Sequence, residues 1–187
     1  MARQILALDV SGAPRDWVSV ETAVTYYARS MVAYGIGGPA IVYHGGWQRG
    51  GTRSVIVVEN IIAVAGRERT ALWQGHVPRL TNVKLFARDR RLCAYCGLRF
   101  RTGDLSREHV IPVSRGGADC WTNVVTACHA CNAAKGARTP EEAGMRLRYL
   151  PYVPSRWEDF ILANRYILAD QMEYLLAKVP ANSRLTA

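Results

Sequence analysis

The sequence predicts an α+β protein: a small cysteine-held module between a mixed α/β N-terminal segment and an amphipathic helical tail. Three observations predict it. Four of the five cysteines fall into two C-x-x-C pairs, Cys93/Cys96 and Cys128/Cys131. Short apolar runs separated by glycine pairs occupy residues 1–80. An apolar stripe of helical period lies between a capping box and a proline near the C-terminus. At 187 residues the chain is long enough for one domain or a compact pair, with a sizeable buried core.

In residues 1–80, stretch 5–9 is short and apolar, and Ser11-Gly12-Ala13-Pro14 reads as a turn. Ser19 has the chemistry of an N-cap. Val20, Ala23, Val24, Tyr27, Ala28 and Met31 follow at helical spacing. Stretches 40–43, 53–58 and 61–65 read as strands, parted by turns at Gly45-Gly46 and Gly50-Gly51. Residues 81–148 form a second region. Thr81 can cap a short helix through Arg88, which leads into the first cysteine pair. Thr139-Pro140-Glu141-Glu142 combines a capping Thr, a Pro at the first helical position and a Glu three residues on, which predicts a helix ending near Tyr149. Residues 149–187 are a short linker and one helix. Ser155-x-x-Glu158 caps it, Pro180 stops it, and Trp157, Phe160, Ile161, Leu168, Met172, Leu175, Leu176 and Val179 form a stripe expected to pack on the body of the protein.

Composition narrows the function classes. The longest apolar runs, 55–58 and 61–65, fall far short of the roughly 20 residues of a membrane span. The opening residues lead into an apolar stretch interrupted by Asp9, a poor secretory signal, so a cytoplasmic protein with no membrane partner is expected. The net charge is +9, and residues 81–150 carry twelve basic against six acidic side chains, while 151–187 balance at four each. Such a field attracts a polyanion. Charge alone fits a generically basic surface equally well.

In a protein that is not secreted, two C-x-x-C pairs favour metal binding or redox chemistry over a disulfide framework. Zinc accepts a tetrahedral set of four thiolates, each pair forming a tight local turn. It can contribute about 10–16 kcal/mol of apparent binding energy. The stretch between Cys96 and Cys128 is rich in Gly, Arg and Ser and poor in large apolar residues, so it needs such a staple. A structural zinc on Cys93, Cys96, Cys128 and Cys131 is the reading favoured. A redox dithiol would need only one pair, and an iron–sulfur cluster, also tetrathiolate, would colour the protein. Cys120 is left over as a small half-buried residue beside Trp121, and His129 as a surface turn residue inside the second pair.

The segment held between and just after the knuckles argues for chemistry. It runs Ser106-Arg107-Glu108-His109-Val110-Ile111-Pro112, then Ser114-Arg115-Gly116-Gly117, then Asn123, then Cys131-Asn132-Ala133-Ala134-Lys135-Gly136. An acidic–His pair, an R-G-G turn, a middle Asn and a C-N-x-x-K-G ending, in that order, resemble the HNH endonuclease family, the ββα-metal nucleases. The resemblance is specific across residues 81–148. It is looser for the N-terminal segment and the tail, which resemble those of bacterial HNH proteins of this length.

The resemblance implies a ββα-metal core. The acidic–His pair lies on the first strand of a hairpin, the middle Asn on the connecting loop or second strand, and the last letter on a helix packed across the hairpin. It implies His109, Asn123 and Asn132 as the three letters, with Glu108 and Asn132 supplying oxygen ligands to a catalytic Mg²⁺ or Mn²⁺. His109 is then the general base for phosphodiester hydrolysis in DNA. Asn123 fixes the loop whose backbone orients the imidazole, and the products carry 5′-phosphate and 3′-hydroxyl ends. Two positions depart from the commonest pattern: Glu108 stands where many members have Asp, and Asn132 stands where His is frequent. Arg107, Arg115, Lys135 and Arg138 are candidate phosphate contacts, Lys135 and Arg115 foremost. His44 and His76 have no such company and read as surface or core residues. The competing readings are a non-catalytic zinc module binding DNA or RNA, and a ribonuclease or toxin-like nuclease. One active site cuts one strand at a time, so a homodimer is the state in which both strands would be cut together.

Overall fold

The computed structural model describes residues 3–66 and 77–186. The chain divides into two compact units. One comprises Met1–His76 with Asn164–Lys178, the other Val77–Ala163 with Val179–Ala187. His76 lies outside the described residues.

The first unit is a four-stranded sheet with helices. Its strands are β1 (Gln4–Leu8), β2 (Pro14–Ser19), β3 (Val32–Trp47) and β4 (Arg53–Val64), in the order β2-β1-β4-β3. β1 runs parallel to β4 and antiparallel to β2, and β3 runs antiparallel to β4. Helix α1 (Val20–Ala28) begins at Ser19, whose side chain accepts a hydrogen bond from the Thr22 amide at 3.2 Å. Ile5, Ala7, Val18, Ala23, Val58, Ile62 and Val64 form an apolar core. The two strands expected at 53–58 and 61–65 are one. Its middle residues are matched by partners: Tyr27 Oη donates to Glu59, and Asn60 bonds Asp170 and Arg3. Gly45-Gly46 lies inside β3, so only Gly50-Gly51 turns the chain. Pro14, expected in a turn, begins β2.

In the second unit, Thr81 Oγ1 accepts the Lys84 amide at 3.3 Å and starts α2 (Asn82–Arg88). Strands β5 (Leu105–His109) and β6 (Val124–Cys128) form an antiparallel hairpin with Leu105 opposite Cys128 and His109 opposite Val124. Helix α3 (His129–Lys135) follows at once and packs on both strands. The expected ββα core is therefore present in an α+β protein. Leu85 and Phe86 of α2 pack with Leu105, Trp121 and Val124.

A fully buried charge pair fixes α2 to the hairpin. Arg88 meets Asp89 through two hydrogen bonds, at 2.8 and 3.1 Å, and donates to the carbonyls of Trp121, Val124 and Tyr152. Asp89 in turn accepts the Thr126 amide of β6 at 2.8 Å. All five guanidinium N–H donors are thus matched to acceptors, which a buried arginine needs if its desolvation is to be offset.

Two helical expectations change. The stretch after Thr139 makes the expected reciprocal cap, with Thr139 N donating to Glu142 and Glu142 N donating to Thr139 Oγ1. It nevertheless makes one turn only, because Gly144 takes φ +66° and turns the chain. Met145 and Leu147 then pack against the cysteine cluster. The tail is two helices, α4 (Arg156–Ala163) and α5 (Ala169–Leu176). Asn164 Oδ1 accepts the Tyr166 amide at 3.0 Å, a local bond that competes with helix continuation. Gln171 Oε1 then accepts the Leu168 amide at 3.1 Å and restarts the helix. The capping box holds, with Ser155 N donating to Glu158 at 2.7 Å. α4 belongs to the second unit. α5 belongs to the first, where Gln171 donates to the carbonyls of Gln4 and Asn60. Among the described residues no helix is long and apolar enough to cross a membrane.

Candidate functional site

The four cysteines come together. The metal-ligating sulfurs of Cys93, Cys96, Cys128 and Cys131 all lie within 4.8 Å of one another. A tetrahedral zinc with sulfurs at its usual bond length needs them about 3.8 Å apart, so the set fits a metal ion. Local turns build it. Gly97, at φ +76°, closes the first knuckle with its amide on the Cys93 carbonyl. Cys128 is the N-cap of α3, its sulfur accepting the Cys131 amide at 3.4 Å. The Ala94 amide donates to the Thr126 carbonyl at 2.8 Å and ties the first knuckle to β6.

The thiols differ electrostatically. Burial pushes Cys93 up, but the amides of Cys128, Cys96 and Tyr95 outweigh it and bring the thiol to about 7. Burial and the neighbouring Cys128 and Cys93 sulfurs push Cys131 well above the ordinary thiol range, and burial raises Cys96. The Cys93 thiolate is favoured while those of Cys96 and Cys131 are resisted, an imbalance that a bound dication relieves. Cys120 stands apart, half-buried, with its sulfur 3.4 Å from Thr122 Oγ1. His129, exposed at the start of α3, bonds the Gly103 carbonyl at 3.1 Å.

β5 sorts the remaining site residues by side, since neighbouring residues of a strand face opposite ways. Ser106 and Glu108 turn toward α3. Asn132 Nδ2 donates to Ser106 Oγ at 2.8 Å, and Lys135 Nζ meets Glu108 Oε1 at 2.5 Å. Both members of that ion pair are buried, and Lys135 Nζ also donates to the His109 carbonyl at 2.8 Å. A pocket of about 320 Å³ is lined by residues including Glu108, His109, Pro112, Lys135 and Gly136.

Arg107 and His109 turn to the other side of β5. There Asp119 bridges them, with Arg107 Nη1 on Oδ2 at 2.5 Å and His109 Nε2 on Oδ1 at 3.0 Å. Arg107 Nε also donates to Asn82 Oδ1 at 2.9 Å. The Arg107 hydrogen bond holds the Asp119 carboxyl below the usual range.

Asn123 is buried and closes the intervening loop. Its Oδ1 accepts the Ile111 amide at 2.9 Å, and its Nδ2 donates to the carbonyls of Ile111 and Ala118 at 3.0 and 2.9 Å. The second glycine of the R-G-G turn serves this closure. A Cβ on Gly117 would lie 1.8 Å from the Ile111 carbonyl oxygen.

Each of the four expected phosphate contacts has a partner inside the protein. Arg107 is bonded to Asp119 and Asn82. Arg115 pairs with Glu142 at 2.6 Å, and Arg138 donates to the carbonyls of Lys135 and Ala134 at the end of α3. Lys135 is 1% exposed, an interior counter-ion where a surface contact was expected. Asp119 and the Arg88–Asp89 pair escaped the sequence reading. The signal available for Asp119 was an acidic residue inside a loop bounded by His109 and Asn123.

No curated protein matches the chain. Residues 93–148 match the family described as HNH endonuclease, the stretch that holds both the thiolate cluster and the Glu108, His109, Asn123 and Asn132 side chains. The matched stretch contains the hairpin-and-helix core, so residues 93–148 are similar to the HNH endonuclease family in both sequence pattern and local fold.

Proposed function

We propose that the protein is a metal-dependent endonuclease that hydrolyses phosphodiester bonds in DNA, with its chemistry in residues 81–148 and His109 as general base. The observation that carries the reading is the pocket lined by residues Glu108, His109 and Lys135 within the family-matched segment.

Zinc on Cys93, Cys96, Cys128 and Cys131 supplies rigidity, since the donor set suits a closed structural site. The oxygen donors Glu108 and Asn132 suit a hard divalent cation, Mg²⁺ or Mn²⁺. Glu108 is a buried carboxylate whose counter-charge is the Lys135 ammonium, and Asn132, whose nitrogen donates to Ser106, would ligate through its oxygen. When bound, that cation stabilises negative charge on the phosphate oxygens.

The rest falls to the chain's own side chains. His109 accepts a proton from the attacking water as the water oxygen bonds to phosphorus. The phosphorus–O3′ bond breaks, the departing oxygen takes a proton from solvent, and the 5′ end keeps the phosphate. Lys135 holds both Glu108 and the His109 carbonyl, so the strand end carrying the base is fixed from within. Arg115 and Arg138, both exposed, exchange internal partners for phosphate oxygens, while Arg107 and Lys135 position the site.

Nicking of supercoiled plasmid in Mg²⁺ or Mn²⁺ tests this reading. The His109→Ala protein should bind DNA as tightly as wild type and cut at least about a hundredfold more slowly. Equal cutting by both proteins removes the catalytic assignment and leaves a zinc module that binds nucleic acid. Parallel incubation with labelled RNA should give no cleavage, and preferential cutting of RNA would replace the DNA substrate.

A further inference from the structure

We infer that Asp119 is a positioning residue for His109, fixing which ring nitrogen is free to take a proton. The inference rests on the nuclease reading only where it speaks of turnover. Its first part, the tautomer of the imidazole, stands on the hydrogen bonds around Asp119 and does not depend on that reading.

His109 Nε2 and Asp119 Oδ1 share a hydrogen bond of 3.0 Å. A neutral imidazole carries one N–H and one bare nitrogen, and either can face a partner. An ionised carboxylate can only accept. Asp119 is kept ionised by Arg107, whose Nη1 sits on the other carboxylate oxygen at 2.5 Å. Nε2 must therefore be the nitrogen that carries hydrogen, and Nδ1 is left bare as the proton acceptor. After Nδ1 takes the proton from water, the imidazolium keeps its Nε2–H on a carboxylate that balances the new charge. No proton passes from the imidazolium to Asp119.

The geometry around Asp119 is over-determined. Its predecessor Ala118 has its carbonyl held by Asn123 Nδ2 at 2.9 Å. The same Asn123 side chain closes on both backbone groups of Ile111 at the other end of the loop. Gly117 allows that closure, since a side chain there would strike the Ile111 carbonyl. The Pro112 carbonyl accepts the Gly117 amide at 3.0 Å and tightens it. Arg107, anchored on Asn82 at 2.9 Å, steadies the carboxylate from the far side. Asn123 thus reaches the imidazole through a side chain, Asp119, and not only through the loop backbone. In a strand whose alternation sends Glu108 and His109 to opposite sides, Asp119 is the group that pins the base on its own side.

The test pairs two readouts on wild type, Asp119→Ala and Asp119→Asn. Nitrogen NMR of isotope-labelled histidine in alkaline buffer, with His109 assigned from the His109→Ala spectrum, reports the tautomer. Wild type should show Nε2 protonated, Asp119→Ala should lose that bias, and Asp119→Asn should keep it, because the amide oxygen still accepts. Plasmid nicking should show kcat reduced by about tenfold or more in Asp119→Ala with KM for DNA unchanged, and a smaller loss in Asp119→Asn. A wild-type ring protonated on Nδ1, or a tautomer indifferent to Asp119→Ala, overturns the inference, even if His109→Ala abolishes nicking and the nuclease reading survives. A tautomer that follows Asp119 in a protein that cuts no DNA supports the positioning and overturns the nuclease reading instead.

Discussion

The two units of this chain are held together by different physics. In the first, the interior is a sheet and helix core of Ile5, Ala7, Val18, Ala23, Val58, Ile62 and Val64, so apolar burial at about 25 cal/mol per Å² is the main stabilising contribution. In the second, the deepest groups include Arg88, Asp89, Glu108, Lys135 and Glu158, beside four thiol sulfurs. Buried charges add little net stability, but they set geometry, and removing one partner leaves the other uncompensated. The lesson is a division of labour. The sheet unit rests on its apolar cluster, whereas residues 77–163 add to theirs, Leu85, Phe86, Leu105, Trp121 and Val124, a set of buried polar side chains held in fixed directions.

That contrast can be broken by two substitutions of unequal expected effect. Arg88→Met leaves Asp89 buried without its cation and strips donors from the carbonyls of Trp121, Val124 and Tyr152. A loss of about 3–5 kcal/mol in denaturant unfolding of the second unit is expected. A near-neutral result would mean that apolar packing holds this unit too. Ile62→Val removes one methylene from the fully buried centre of the sheet core. It should cost about 0.5–1.5 kcal/mol and leave metal content and nicking unchanged. A change in metal content would show that the two modes of stabilisation are not separate.

Much of the candidate site was legible because it is written locally. The C-x-x-C pairs, the Glu108-His109 dipeptide, the R-G-G turn and the Asn123 and Asn132 positions are short-range patterns, as are the caps at Ser19, Thr81 and Ser155. What stayed hidden is written in space. Asp119 meets His109 across ten residues of chain, and Arg88 reaches carbonyls as far away as Tyr152. Lys135 read as a surface cation because nothing in its neighbours announces the buried carboxylate across the hairpin. The long β4 was split by its polar centre, whose partners Tyr27 and Asp170 lie elsewhere in the sequence. The single tail helix failed at Asn164, where a side chain to backbone bond outcompeted an otherwise continuous apolar stripe.

A thiolate-bound metal ion is proposed to order residues 93–148 while the sheet stands on its own packing. Amide hydrogen exchange before and after removal of the metal with a chelator measures that directly. The expected result is loss of protection through β5, β6 and α3, with β1 and β4 as protected as before and nicking abolished. Unchanged protection across residues 93–148, with the metal demonstrably gone, would contradict it.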